Sequence, residues 1–159
     1  MVLSRPASGA GALLKALLQE SPDEVLVFDA GGLRILQANP AAVRNLHYPL
    51  KTLKTLTPCD CLAEADATQL PGRLAAAEAS PRQRTRFHAH CRRRDGSLYP
   101  ADIRLFHSVA DGRTVFIWIA TDTSEREASR RALAHSASDL RAIVAHIPGK
   151  AYQDQRAPD

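Results

Sequence analysis

The segment from Arg84 to Ser129, RTRFHAHCRRRDGSLYPADIRLFHSVADGRTVFIWIATDTSEREAS, constrains the fold more than any other part of the chain. Three runs of β-type residues are separated by Asp95-Gly96 and Asp111-Gly112, and the last run passes through Asp122-Thr123-Ser124 into a charged helical stretch. Asp-Gly between β-runs marks a hairpin, because Gly adopts positive φ without a Cβ clash. Two hairpins in tandem make an antiparallel meander. The helix follows the last strand with no linker.

Register in the first hairpin follows from side-chain phase. Thr85, Phe87, Ala89 and Cys91 alternate with Arg84, Arg86, His88, His90 and Arg92, and the partner run carries an apolar set at Tyr99, Ala101, Ile103 and Leu105. Directly opposed residues share a face. A two-residue loop at Asp95-Gly96 would oppose Phe87 to Arg104. A three-residue loop (Arg94, Asp95, Gly96) opposes Phe87 to Ile103 and Ala89 to Ala101, so this loop is expected, with Gly96 left-handed.

The third run, TVFIWIAT, is apolar on both faces and must be covered on both. Val115, Ile117 and Ile119 are expected to face the core. The opposite face is expected to lie under a helix or a second subunit, with the leucine-rich helix at 10–20 as the nearest cover. Ser124-Glu125-Arg126-Glu127 fits a capping box. The helix it opens is expected to run to Ile147, before Pro148-Gly149. Leu133, Ala137, Leu140, Val144 and Ile147 recur along it at coiled-coil spacing over barely two heptads, an apolar seam for a partner helix or, alternatively, for its own domain.

Upstream, residues 1–9 lack periodicity and read as a loose N-terminus. Leu13, Leu14, Leu17 and Leu18 predict the amphipathic helix over 10–20. EVLVFD (Glu24–Asp29), a turn at Ala30-Gly31-Gly32 and LRILQA (Leu33–Ala38) form a further hairpin. Asn39 as cap and Pro40 at the first helical position start a helix to Leu46. Residues 47–65, with Pro49 and Pro58, admit only short helical turns. A longer helix is expected over 66–79, with Leu70 and Leu74 on one side and Pro71 near its true start.

A chain of 159 residues with 45% hydrophobic and 24% charged content is that of a globular domain needing no metal or disulfide support. Its net charge of +4 is concentrated at Arg82, Arg84, Arg86 and Arg92 to Arg94, and at Arg126, Arg130 and Arg131. Such a hairpin reads first as an edge blunted by charge; nucleic-acid binding is the lesser alternative, because no zinc-finger spacing or aromatic RNA-binding signature accompanies the arginines. Three cysteines, an odd number, indicate reduced thiols and a cytoplasmic location. The apolar run near the N-terminus is too short for a membrane span or a signal peptide.

No nucleophile elbow, phosphate-cradling glycine loop or core carboxylate pair is present, so the fragment is not expected to be an enzyme. Cys59 and Cys61 are two thiols, short of a zinc set. His88 and His90 share a strand face with Asp102 opposite. Solvent-facing side chains explain them as well as a metal does, and no metal is assigned. His107 falls near a strand end, as a polar group of a pocket or of its rim.

The order strand, strand, short helices, three-stranded meander and exit helix, with NPAA after the second strand, RRRDGSLYPADI across the hairpin and DTSERE after the last strand, resembles a PAS domain. Two departures stand out: His47-Tyr48 where Gly-Tyr is usual, and Asp122-Thr123-Ser124 in place of Asp-Ile-Thr. The resemblance implies an α+β fold, a five-stranded antiparallel sheet with short helices on one face, an N-terminal amphipathic helix and a C-terminal exit helix. It divides the chain into the N-terminus 1–9, the PAS domain 10–123, a connector helix 124–147 and a tail 148–159. In that tail, AIVAHIPGKAYQD echoes LLQESPDEVLVFD as the start of a second repeat would.

Members of this family often bind a small molecule between the helices and the sheet. The resemblance then implies a lining of Leu46, Leu74, Phe87, Ala89, Ile103, Leu105, Ile117 and Ile119. The cofactor stays unassigned: residues 62–80 hold no His for haem, and PCDCLAEAD lacks the Asn, Arg and Gln of the flavin-adduct segment. The implied function is a cytosolic sensor and dimerisation module of a bacterial-type signalling protein. It would form a homodimer through the N-terminal and exit helices and relay to an output domain such as a histidine kinase or diguanylate cyclase. A ligand-free protein–protein docking domain is the alternative.

Overall fold

The computed structural model describes residues 7–80 and 82–146. Of these, the residues up to Thr123 form one compact unit and those from Ser124 to His146 belong to another. The first unit is built on a five-stranded antiparallel sheet of β1 (Glu24–Asp29), β2 (Ile35–Ala38), β3 (Thr85–Arg92), β4 (Leu98–Ala110) and β5 (Arg113–Asp122), in the order β2-β1-β5-β4-β3. Between β2 and β3 lie α2 (Pro40–Leu46), α3 (Leu50–Leu53), a 3-10 turn (Pro58–Cys61), α4 (Glu64–Ala67) and α5 (Leu70–Ala79). Helix α1 (Ala7–Glu20) precedes the sheet, and α6 (Ser124–His146) makes up the described part of the second unit.

The meander closes as side-chain phase requires. Phe87 opposes Ile103 and Ala89 opposes Ala101. Arg93 N–H donates to the Ser97 carbonyl at 2.8 Å, leaving Arg94, Asp95 and Gly96 as the loop, with Gly96 at φ 89°. The second hairpin pairs Ala110 with Arg113 across Asp111 (φ 50°) and Gly112 (φ 74°), both left-handed as a tight two-residue turn needs. Strand β3, which carries the arginines, lies at a sheet edge.

The first hairpin differs from expectation. Its second strand begins at Ile35, not Leu33, and Leu33 is the left-handed residue at φ 57°. Asp29 causes this: its Oδ2 accepts from the Gly31 and Gly32 N–H groups at 3.0 and 2.8 Å, and its carbonyl accepts from Leu33 N–H at 2.9 Å. The turn is therefore wider than the glycine pair suggests. Helix α1 also starts earlier than residue 10, at Ala7. Ala, Ser and Gly there carry no apolar period, so the extension had no signal.

The core lies between the sheet and α2 to α5. Leu26, Phe28, Ile35, Leu46, Leu53, Leu62, Leu70, Leu74, Tyr99, Ile103, Leu105, Phe116 and Trp118 form one buried cluster. Strand β5 is phased opposite to the expectation: Phe116, Trp118 and Ala120 face this core, while Ile117 and Ile119 are half-buried on the other side. Pairing decides it. Leu26 opposes Trp118 and Phe28 opposes Phe116, so the larger aromatic set shares a face with the core side of β1. Both β5 faces are apolar, and sequence alternation alone could not choose between them.

Helix α1 packs against α2, and Leu13, Leu14 and Leu17 stay about three-fifths exposed. The expected covering of β5 by these leucines is not what the fold provides. One residue pins α1 beside α2 instead. Asn39 Nδ2 donates to the carbonyls of Leu18 (3.0 Å) and Asp23 (2.9 Å), and its Oδ1 accepts from the N–H groups of Val25 (2.8 Å) and Ala42 (3.1 Å). The N-cap of α2 thus also fixes the end of α1 and the start of β1.

Candidate functional site: the sheet interior and its buried carboxylate

Six of the eight residues expected to line an interior pocket come together on the core face. Leu46 (α2), Leu74 (α5), Ala89 (β3), Ile103 and Leu105 (β4) are buried in the common cluster, and Phe87 is half-buried against it. Ile117 and Ile119 are not among them, for the reason of phase given above. Their places are taken by Phe116, Trp118 and Ala120.

Large aromatics fill much of this interior, above all Trp118, Tyr99, Phe28 and Phe116. Phe28 and Phe116 stack at 5.5 Å, and Phe87 meets Trp118 edge to face at 6.2 Å. Alanines at 42, 77, 89, 101 and 120 make room for them. The Trp118 Nε1–H is buried without a hydrogen-bond partner. A buried donor left unpaired costs about 1–3 kcal/mol and is uncommon in native interiors.

The polar centre of the interior is Glu24, which sequence reading passed over. It opens β1 and is only 1% exposed. Tyr99 Oη lies 2.7 and 2.8 Å from its two carboxylate oxygens, and Asn45 Nδ2 donates to it at 2.9 Å. Burial pushes its carboxyl up to about 7, against the lowering effect of the Asn45 and Tyr99 hydrogen bonds; Asp122 raises it further and Arg93 lowers it. Arg93 stacks over the Tyr99 ring at 4.4 Å and donates through Nε to the Asn45 carbonyl at 3.1 Å. A signal was available in the sequence: Glu24 shares the period-two phase of Leu26 and Phe28 and so had to point inward.

The thiols are quiet. Cys61 and Cys91 are buried, Cys59 is half-buried, and all three are free. Burial pushes the Cys61 thiol up to about 12 and those of Cys91 and Cys59 upward as well. A protonated, enclosed thiol is a poor nucleophile and a poor metal ligand.

On the other sheet face each histidine has its own carboxylate. His88 Nδ1 lies 3.0 Å from Asp102 Oδ1, and His90 Nδ1 lies 3.6 Å from Asp66 Oδ2. No metal-binding group of three such side chains occurs among the described residues. His107 packs on the Phe116 ring at 5.5 Å, half-buried at the rim. Several hairpin arginines also have internal partners: Arg84 covers Phe106, Arg86 lies 3.7 Å from Asp102, and Arg92 reaches the Asp60 carbonyl at 3.4 Å.

No described helix is long and apolar enough to cross a membrane. The expected end of α6 at Ile147, the Pro148-Gly149 stop and the echo of a second repeat lie outside the described residues.

Comparison with known proteins bears on this architecture. A family model described as a PAS domain matches residues 12–77. No curated protein sequence matches the chain. Among solved structures, the PAS domain of an HTR-like protein from Haloarcula marismortui is 25% identical, with a TM-score of 0.64 over 74% of this chain and 95% of that one. The PAS domain of nitrogen regulation protein NR(II) from Vibrio parahaemolyticus is 17% identical, with a TM-score of 0.57 over 69% and 97%. An RNA-binding light-oxygen-voltage receptor is 19% identical, with a TM-score of 0.66 over 87% of this chain and 40% of that one. With the strand order β2-β1-β5-β4-β3, the short helices between β2 and β3, and the family match over residues 12–77, the chain has the PAS fold.

Proposed function

We propose that this PAS domain is the sensor and dimerisation module of a cytosolic, bacterial-type signal-transduction protein, relaying through α6 to an output domain. The observation that carries the reading is α6 itself. It begins two residues after β5 ends, runs for 23 residues, and leaves Leu133, Leu140, Ile143 and Val144 more than half exposed. A helix of charged and small residues with an apolar seam supports pairing with a second copy, and a helix continuous with a central strand supports relay. In this reading a change in the sheet interior biases the start of α6, which requires a ligand or partner that binds two states unequally. The unpaired Trp118 Nε1–H supports an interior ligand bearing an acceptor, held among Leu46, Leu74, Phe87, Ala89, Ile103 and Leu105. The neighbouring PAS structures from a two-component sensor histidine kinase and from nitrogen regulation protein NR(II) support the signalling context.

A charge at the centre of the seam tests the dimer. Leu140→Glu is expected to raise the dimer dissociation constant roughly tenfold or more in sedimentation velocity, because an unpaired carboxylate would be buried between helices. An unchanged dimer, or a wild-type protein that is monomeric throughout, would exclude the α6 seam. The second reading, ligand-free protein docking, is favoured by the aromatic filling of the interior by Trp118, Tyr99, Phe28 and Phe116. Native mass spectrometry separates the two: a retained small molecule supports sensing, and bare protein supports docking.

A further inference from the structure

A cavity of about 560 Å³ opens away from the core cluster, between α1, α2 and the β1–β2 end of the sheet. Its walls are apolar, with Leu18 of α1, Val25 and Val27 of β1, and Val43 of α2 facing it. Val25 and Val27 oppose Ile119 and Ile117, which places this floor on the sheet face turned away from the core. Two cations, Lys15 of α1 and Arg44 of α2, are the charged residues of the lining, and no carboxylate lines it. Neither cation has an ion-pair partner among the described residues.

We infer that this cavity is a binding site for a small anionic amphiphile, a medium-chain carboxylate, with its chain against Val25, Val27, Val43 and Leu18 and its anionic head between Lys15 and Arg44. The volume lies within the usual range of small-molecule sites, roughly 300–1,000 Å³, which are likewise mostly apolar with a few polar groups that set orientation. Charge selects the head group. Both rim groups are donors without acceptor capacity, so an anion satisfies them and a cation is repelled. Asn39 does not compete for ligand, because all four hydrogen-bonding positions of its amide are used in tying α1, β1 and α2 together. The same clamp holds the two cation-bearing helices around the cavity. This site is independent of any interior ligand and of the α6 dimer, so either can fail without the other.

The test uses decanoate as probe, with octanoate, decanol and decyltrimethylammonium as comparisons, followed by methyl NMR on the whole chain. Decanoate is expected to shift the methyl signals of Val25, Val27 and Val43 and to leave Ile103 and Leu105 unmoved. It should bind roughly tenfold tighter than octanoate, from the added buried methylenes. The Lys15→Glu/Arg44→Glu variant should weaken decanoate about tenfold at low salt while leaving decanol unchanged. Both positions are exposed, so folding is not at risk; Val27→Phe, which narrows the cavity, provides a second loss of binding. Equal binding of decanol, or tighter binding of decyltrimethylammonium, would overturn the anionic assignment. Shifts at Ile103 and Leu105 in place of Val27 and Val43 would overturn the location. Cavity methyls that respond to protein concentration but not to decanoate would assign the groove to a second copy of the chain and overturn the proposal.

Discussion

Glu24 shows how one buried side chain can set the pH response of the domain. Its carboxyl titrates near 7 in the folded chain because burial disfavours its charge, against an ordinary value of 4.5. The folded state therefore holds this proton where the unfolded chain releases it. The stability that Glu24 contributes is fully present below pH 4.5 and is lost as pH rises to about 7, a change of about 3 kcal/mol in all. Urea unfolding at steps from pH 4.5 to 8 should show that decline. In Glu24→Gln, which keeps an acceptor for Tyr99 and cannot ionise, the slope over this window should flatten; an unchanged slope would assign the pH response elsewhere. Asn39 is the second residue of consequence. Asn39→Ala removes the α2 cap and leaves the Val25 N–H and the Leu18 and Asp23 carbonyls short of a partner. A loss of about 2–4 kcal/mol is expected in equilibrium unfolding. Faster amide exchange should appear along α1 and at the start of α2 together, since one side chain holds both.

Among the elements, those defined by local chemistry were legible in advance, and those decided by partners across the sheet were not. The Arg94-Asp95-Gly96 loop, the Asn39 cap and the bounds of β1 and α2 follow from turn chemistry and side-chain phase within a few residues. The phase of β5 did not, because Val115, Ile117 and Ile119 are as apolar as Phe116, Trp118 and Ala120, and only pairing with Leu26 and Phe28 breaks the tie. The pocket lining inherited that error at Ile117 and Ile119. The late start of β2 is the exception among local features: the Asp29 side chain bonds two glycine N–H groups, a turn that the glycine pair alone did not reveal. His47, where relatives of this fold commonly carry Gly, now has a structural meaning. It ends α2 at φ 61° and its N–H donates to the Val43 carbonyl at 3.1 Å. A left-handed non-glycine residue at this exposed position costs conformational energy that Gly would not. His47→Gly is therefore expected to stabilise the domain by about 0.5–1 kcal/mol, read as a higher urea midpoint at unchanged slope. A lower midpoint would mean that the imidazole makes a contribution larger than the backbone strain it carries.

At the scale of the whole molecule, apolar surface without a partner is distributed over both units. Leu13, Leu14 and Leu17 of α1 are about three-fifths exposed, and Leu133, Leu140 and Val144 of α6 are exposed to a similar or greater degree. Either set by itself is a short seam, barely two heptads long in α6. Stable interfaces typically bury roughly 1,200–2,000 Å², so in the dimer proposed above each seam is tested by itself. Substitution in each helix distinguishes a shared interface from a single one. Leu17→Glu and Leu140→Glu should each raise the dimer dissociation constant. A double variant that raises it by the product of the two factors would show that the two seams act independently, since additivity in free energy is the mark of sites without shared contacts. If Leu17→Glu leaves the dimer unchanged while Leu140→Glu abolishes it, association belongs to α6 alone, and the leucines of α1 must then serve another contact. If Leu17→Glu acts alone, the exit helix is free to engage an output domain without first pairing, and relay would not depend on a coiled coil.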